Sequence, residues 1–307
     1  MMMHSPIQDT KLNELIKRIP CLAGVQNISL LNGGLTNKNY RLDTAAGSYV
    51  IRVGSEKVSL LGINRDNERL NTGRASQAGI GPDVIYSGPD ENVLVLRWIE
   101  AKTLHADDFH VLPGLLPRVA TALKTLHAGP EFQGHFHFPL IRARYRKTVL
   151  DSGYFMPDGY LNPEPLVLKL ENRLAVNPEK SVPCNNDLLA ENFLDDGKKI
   201  WIIDYEYAGQ NEASFDIGNL AGETALDDAQ LTALCDAYWQ EHLVSKIARA
   251  RAWSVIARYG WVLWAAIQEA VSPIDFDFRA WGMRKWQAVL PELSGDRYQQ
   301  ILENLTV

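Results

Sequence analysis

Cysteine is scarce. The 307-residue chain has three, Cys21, Cys184 and Cys235. Odd in number and far apart, they offer neither a disulfide framework nor a paired Cys-x-x-Cys zinc site, and they suit a reducing compartment. An excess of one charge is also missing. Lys and Arg total 31 against 37 Asp and Glu, a net charge of -6, which gives no general attraction to nucleic acid or anionic lipid. Long apolar runs are absent as well. Met1–Pro20 is polar and charged, without the apolar core of a signal peptide. The most apolar helical stretch, Ala252–Val271, is interrupted by Arg258, Gln268 and Glu269, too short and broken to span a bilayer comfortably. No repeat or low-complexity run occurs. These absences predict a soluble, cytoplasmic protein with no nucleic-acid partner and no membrane insertion. They leave any oligomeric partner unspecified.

What is present has an ordinary globular balance, 46% hydrophobic and 22% charged residues. The length allows two packed lobes around a cleft. The first part reads as strands, with Val25–Leu31 ending at Asn32-Gly33-Gly34, an extended pattern over Asn39–Leu42, and β-rich Ser48–Val53. A helix follows over Asn64–Ala78, stopped by Gly79-Ile80-Gly81-Pro82. Asp83–Ser87 and Val93–Trp98 then read as two more strands. From Leu112 the period changes. Leu112, Leu115, Leu116, Val119, Leu123 and Leu126 recur at helical spacing up to His127-Ala128-Gly129-Pro130. Leu166–Leu174 reads as helix, and short strands around Phe193-Leu194 and Lys199–Ile203 flank an Asp195-Asp196-Gly197 turn. After Asp227 the chain is almost wholly helical. The expected fold is α+β, with an extension over 1–20, a small mixed α/β lobe over 21–98 and a larger, mainly helical lobe over 99–307.

The densest chemical signal is Cys184-Asn185-Asn186-Asp187-Leu188-Leu189-Ala190-Glu191-Asn192, followed by Ile203-Asp204-Tyr205-Glu206. Alone, an Asp and an Asn five apart also describe a polar surface loop. Between apolar strand ends, with a second Asp closing the hairpin, they match what phosphoryl transfer requires. Asp187 would accept or orient a substrate hydroxyl proton. Asn192 and Asp204 would hold Mg2+, a hard cation that takes oxygen ligands.

Together with Phe215-Asp216-Ile217-Gly218-Asn219, these segments resemble the choline/ethanolamine kinase family, itself similar to the aminoglycoside phosphotransferases. The resemblance runs from about Leu30 to about Trp286. It implies a protein-kinase-like two-lobed fold and ATP- and Mg2+-dependent phosphorylation of a hydroxyl. On the nucleotide side it implies a glycine turn over the phosphates, carried by Gly33, Gly34, Thr36 and Asn37, since glycines permit close backbone approach to anionic oxygens. Arg52, in Tyr49–Val53, stands where kinases carry a phosphate-binding cation. Glu68 in the next helix is its expected partner.

On the acceptor side the resemblance implies a cation cage. Trp261 and Trp264, three apart, share a helix face, and aromatic faces attract quaternary ammonium groups. Tyr207 and Glu223 match an aromatic and an acidic residue near the headgroup. A Trp pair at this spacing also serves as ordinary core. Two residues depart from the family pattern: Thr224 stands in place of a further tryptophan, and Asn185 in place of the usual histidine. The leading expectation is a kinase of choline or a related amino-alcohol. Ethanolamine, thiamine or an aminoglycoside as acceptor, or a pseudokinase that senses a nucleotide or cation, are the alternatives.

Overall fold

The computed structural model describes residues 10–31, 34–54, 60–88 and 93–305. Gly33, assigned above to the glycine turn, lies outside them. The chain opens with helix α1 (Thr10–Arg18), then strands β1 (Asn27–Leu31), β2 (Asn37–Thr44) and β3 (Gly47–Gly54). Helix α2 (Arg65–Gln77) follows, capped by Asn64, whose side chain accepts from the backbone N–H groups of Asp66 and Asn67. Strands β4 (Val84–Gly88) and β5 (Val93–Arg97) complete an antiparallel five-stranded sheet of order β1-β2-β3-β5-β4. Residues 10–18, expected as part of an extension, instead form an amphipathic helix. Leu12, Leu15 and Ile19 recur one helical turn apart and pack with Leu22 against Tyr40, Leu42, Ile51 and Val95 of the sheet.

The rest is mostly helical, and three short antiparallel pairings hold the polar loops. After β6 (Lys102–Thr103) come α3 (Asp108–Val111), α4 (Leu115–His127), α5 (Phe138–Ser152) and α6 (Glu164–Val176). Then follow β7 (Ser181–Cys184), β8 (Phe193–Asp195), β9 (Ile200–Ile202) and β10 (Gly209–Glu212). Helices α7 (Ala213–Glu223), α8 (Asp228–Trp239), α9 (Val244–Val271), α10 (Phe278–Val289) and α11 (Gly295–Asn304) close the chain. Strand β7 pairs with β10, with Cys184 opposite Gly209, and β8 pairs with β9, with Phe193 opposite Ile202. The loop 185–192 therefore starts and ends beside the loop 203–208, and neither can slide along the other.

Helix α9 is buried continuously from Ala248 to Gln268. A helix buried on every side forms the middle of a core rather than its edge. Helix α7 crosses it so closely that a Cβ on Gly218 would lie 2.2 Å from the Ala250 carbonyl oxygen. No other residue fits there. No helix among the described residues is long and apolar enough to cross a membrane.

Candidate active site

The loop 185–192 is held from below by one carboxylate. Asp216, fully buried on α7, accepts the backbone N–H groups of Asn185 (3.0 Å) and Asn186 (2.8 Å) and contacts His127 Nε2 at 3.1 Å. Asn185, also fully buried, joins the two loops. Its Nδ2 donates to the carbonyls of Ile203 (3.2 Å) and Asp204 (2.8 Å), and its Oδ1 accepts from the Asp187 N–H at 3.1 Å. The departure from histidine thus leaves a working brace, because a carboxamide can donate and accept at once. Asn186 takes a left-handed backbone (φ 67°), which asparagine tolerates. Its amide donates to the carbonyls of Cys184 (3.2 Å) and Tyr207 (3.0 Å).

These struts set the proposed reacting groups. Asn192 Nδ2 donates to the Asp187 carbonyl at 2.8 Å, closing the five-residue loop on itself and leaving the Asn192 oxygen free of that bond. Asp204 also has a left-handed backbone (φ 62°). Its Oδ2 meets Arg52 NH2 at 2.6 Å, while Oδ1 is buried with no partner. A buried carboxylate oxygen left unpaired is costly unless a ligand completes it. With the Asn192 oxygen it makes the hard oxygen donor set that suits Mg2+. Asp187 is held with its pKa well above the usual carboxylate value, by burial first and then by the charges of Asp204 and Glu206. That favours a proton acceptor over an inert carboxylate.

Behind Asp204 lies a compact ionic network. Arg52 bonds Glu68 as well as Asp204. Burial disfavours its charge, but Asp204, Glu68 and Glu206 outweigh that and raise its pKa. Arg65 reaches Glu68, Glu206 (3.3 Å) and the Asn37 carbonyl oxygen Oδ1 (2.7 Å). Glu206 in turn accepts from Thr36 Oγ1 (2.6 Å) and Asn37 Nδ2 (2.9 Å). Burial first, then the Asp204 charge, pushes the Glu206 carboxyl up to about 7. The segment after the glycine turn is therefore tied down to the second loop. Gln268 adds a bond from α9 to the Leu35 carbonyl at 2.8 Å. Gly34 is required here, since a Cβ would lie 2.5 Å from the Asn37 backbone oxygen.

One cavity of about 330 Å3 joins these parts. Its walls carry Gly34, Leu35, Thr36, Asp187, Asn192, Asp204 and Glu206, and also Tyr207, Trp261, Trp264, Phe276, Trp281 and Arg284. The rings are set by hydrogen bonds as well as packing. Trp261 Nε1 donates to Asn219 Oδ1 and Trp264 Nε1 to the Tyr207 hydroxyl, both at 2.9 Å. Trp261 and Trp264 stand edge to face with centroids 6.4 Å apart, and Trp281 lies 5.3 Å from Trp264. The segment Phe215–Asn219 thus has a reason for each position the site uses. Asp216 holds the loop, Gly218 admits α9, and Asn219 orients Trp261.

The likeness to known proteins follows the same residues. The family model described as Choline/ethanolamine kinase matches residues 164–242, which include both loops and α7. A solved structure of a choline/ethanolamine kinase family protein from Mesorhizobium loti is 28% identical, with a TM-score of 0.84 over 96% of this chain and 99% of that one. The chain fits the choline/ethanolamine kinase family. Among curated relatives, Protein LicA of Haemophilus influenzae is 28% identical over 67% of this chain, and Ethanolamine kinase 1 of Mus musculus 26% over 82%. The match spans 61% of the length of LicA and 79% of the mouse protein. The protein-kinase-like fold expected from the sequence is the fold of this family.

The structure brings Asp187, Asn192, Asp204, Gly34, Thr36, Tyr207, Trp261 and Trp264 to one cavity. Arg52, Glu68 and Asn37 stand behind it in the ionic network. Glu223 stands behind the aromatic wall of the cavity, beyond Trp281. Its carboxylate is bound by Lys285 Nζ through both oxygens, and it is not part of the cavity wall. Sequence reasoning passed over Arg65, the role of Glu206, Trp281 and Lys285. Glu206 had a signal, since it sits two residues past Asp204 in the motif. Trp281 and Lys285 had none, because only the packing of α10 on α9 brings them to the site.

Proposed function

We propose that this chain transfers the γ-phosphoryl group of ATP to the hydroxyl of a small amino-alcohol, with choline as the leading acceptor. The observation that carries the reading is the continuity of one cavity. Carboxylates and amide oxygens suited to phosphoryl transfer occupy one end, and a set of aromatic faces suited to a compact cation occupies the other. Asp187 lies in that wall, where it would accept or orient the hydroxyl proton. Asn192 and Asp204 would hold Mg2+, which when bound neutralises charge on the nucleotide phosphates. Arg52 fixes Asp204 from behind, and Glu68 fixes Arg52. The Gly34–Thr36 segment, drawn inward by Glu206, covers the phosphate end. A kinase of this kind acts mainly by positioning and electrostatics, which is what the interlocked loops provide.

The test is product identification by mass spectrometry after incubation with ATP and Mg2+, across choline, ethanolamine, thiamine and an aminoglycoside. The expected outcome is a phosphorylated amino-alcohol. ATP binding without transfer to any acceptor would replace this reading with that of a nucleotide- or cation-binding pseudokinase.

A further inference from the structure

A charge pair lies behind the aromatic end of the cavity, against Trp281. Lys285 Nζ, on α10, contacts both oxygens of Glu223, at the end of α7, and both side chains are nearly inaccessible, 10% and 6% exposed. The same ammonium lies 3.9 Å from the centroid of Trp281, a ring of the cavity wall. Burial lowers the Lys285 pKa and the Glu223 charge opposes that. Both groups are close enough to act on Asp187 with opposite signs. Lys285 therefore sits as a resident cation, with a carboxylate beside it and an aromatic face beneath it.

Resting on the amino-alcohol reading above, we infer that Lys285 sets the acceptor preference by occupying Glu223, so that the site selects a quaternary over a primary ammonium. A primary ammonium brings three N–H donors and a tightly held hydration shell, and needs oxygen acceptors to replace the water it loses. A trimethylammonium has no N–H donor and needs only aromatic faces. The carboxylates of the cavity wall, Asp187, Glu191, Asp204 and Glu206, stand on the two loops, and around the rings the acceptors are already engaged. Both Glu223 oxygens hold Lys285, Asn219 Oδ1 holds Trp261, and the Tyr207 hydroxyl receives Trp264. The polar atom here that is buried without a partner, Asn219 Nδ2, is a donor and of no use to an ammonium. What the rings themselves offer a cation is π surface.

The experiment compares kcat/KM for choline and ethanolamine in the parent protein, Lys285→Met and the double variant Glu223→Gln/Lys285→Met. The parent prefers choline. K285M frees the carboxylate and shifts the choline-to-ethanolamine ratio toward ethanolamine by roughly tenfold, and the double variant restores the parental preference. A ratio unchanged in a K285M protein with parental melting behaviour, or a parent that prefers ethanolamine, overturns the role of Lys285 alone. If K285M does not fold, Glu223→Gln decides. Its unpaired Lys285 ammonium then repels the acceptor and raises the choline KM by roughly tenfold or more while the ATP KM stays, and an unmoved choline KM overturns the inference. A parent that transfers phosphate to neither alcohol overturns the underlying functional reading, and this inference with it.

Discussion

The two ends of the cavity handle charge in opposite ways. At the phosphate end, Arg52, Arg65, Glu68, Asp204 and Glu206 form a network in which one oxygen, Asp204 Oδ1, is left buried and unpaired. Behind the aromatic end Glu223 is closed off by Lys285, and the wall in front of them is mostly ring face, with Arg284 beside it. Under the proposed function, the end that would receive phosphates and a metal keeps a charge in reserve. An end that receives a diffuse cation gains more from desolvated faces than from a carboxylate, whose own hydration would have to be given up. The contrast also explains the uneven use of hydrogen bonds. At the first end they tie loops from different elements, whereas at the second they turn individual rings.

The comparison breaks first at Asp187 and Asp204. Asp187→Ala should lower kcat by about 10²- to 10⁴-fold, the usual contribution of a positioned acid or base, with nucleotide affinity little changed. Asp204→Ala should abolish Mg2+-dependent nucleotide binding and transfer together, read by calorimetry and turnover. Near-parental turnover in either folded variant would remove the catalytic assignment. Next comes Arg52→Ala, which leaves Asp204 Oδ2 without its cation and Glu68 with Arg65 alone. Losing one partner of a buried pair costs about 3–5 kcal/mol, so the midpoint of chemical denaturation should fall clearly. An unchanged midpoint would mean that water already screens this end.

Asn185 sharpens the comparison from within the ionic end. Asn185→Ala strips a donor from the Ile203 and Asp204 carbonyls and an acceptor from the Asp187 N–H. Displacing Asp187 in this way should reduce kcat by up to about a hundredfold with smaller changes in either KM. Asn185→His, which restores the residue usual in the family, should retain most of the turnover. If KM for ATP moves more than kcat, the side chain supports nucleotide binding rather than loop placement. The smallest effect belongs to the aromatic end. Trp264→Ala should weaken choline by about 1–2 kcal/mol of cation–π attraction, seen as a higher choline KM with the ATP KM unmoved. Trp264→Phe, which keeps a face but loses the N–H bond to Tyr207, should be milder. Equal movement of both constants would make the ring part of the core.

The sequence carried the local parts of this arrangement. Asp187 to Asn192 is a short loop whose ends are fixed by apolar strand residues, and Asp204 follows within one hairpin, so spacing alone brings the three together. Asn64 before a polar helix and the change of period after Leu112 are likewise near-neighbour signals, and the helices they mark, α2 and α4, are present. Arg52 and Glu68, separated by sixteen residues, were still within reach because kinases place them on adjacent elements. Other features had to wait for the fold. Helix α1 was hidden in a charged N-terminus, because its apolar residues have meaning only against the sheet that covers them. Glu206 bonds Thr36 across 170 positions, and Lys285 meets Glu223 across 62. Whether a carboxylate is free or already paired depends on which distant side chain packs against it. The family resemblance could therefore place Glu223 near a cation, but only the packing of α10 on α9 brought Lys285 to it.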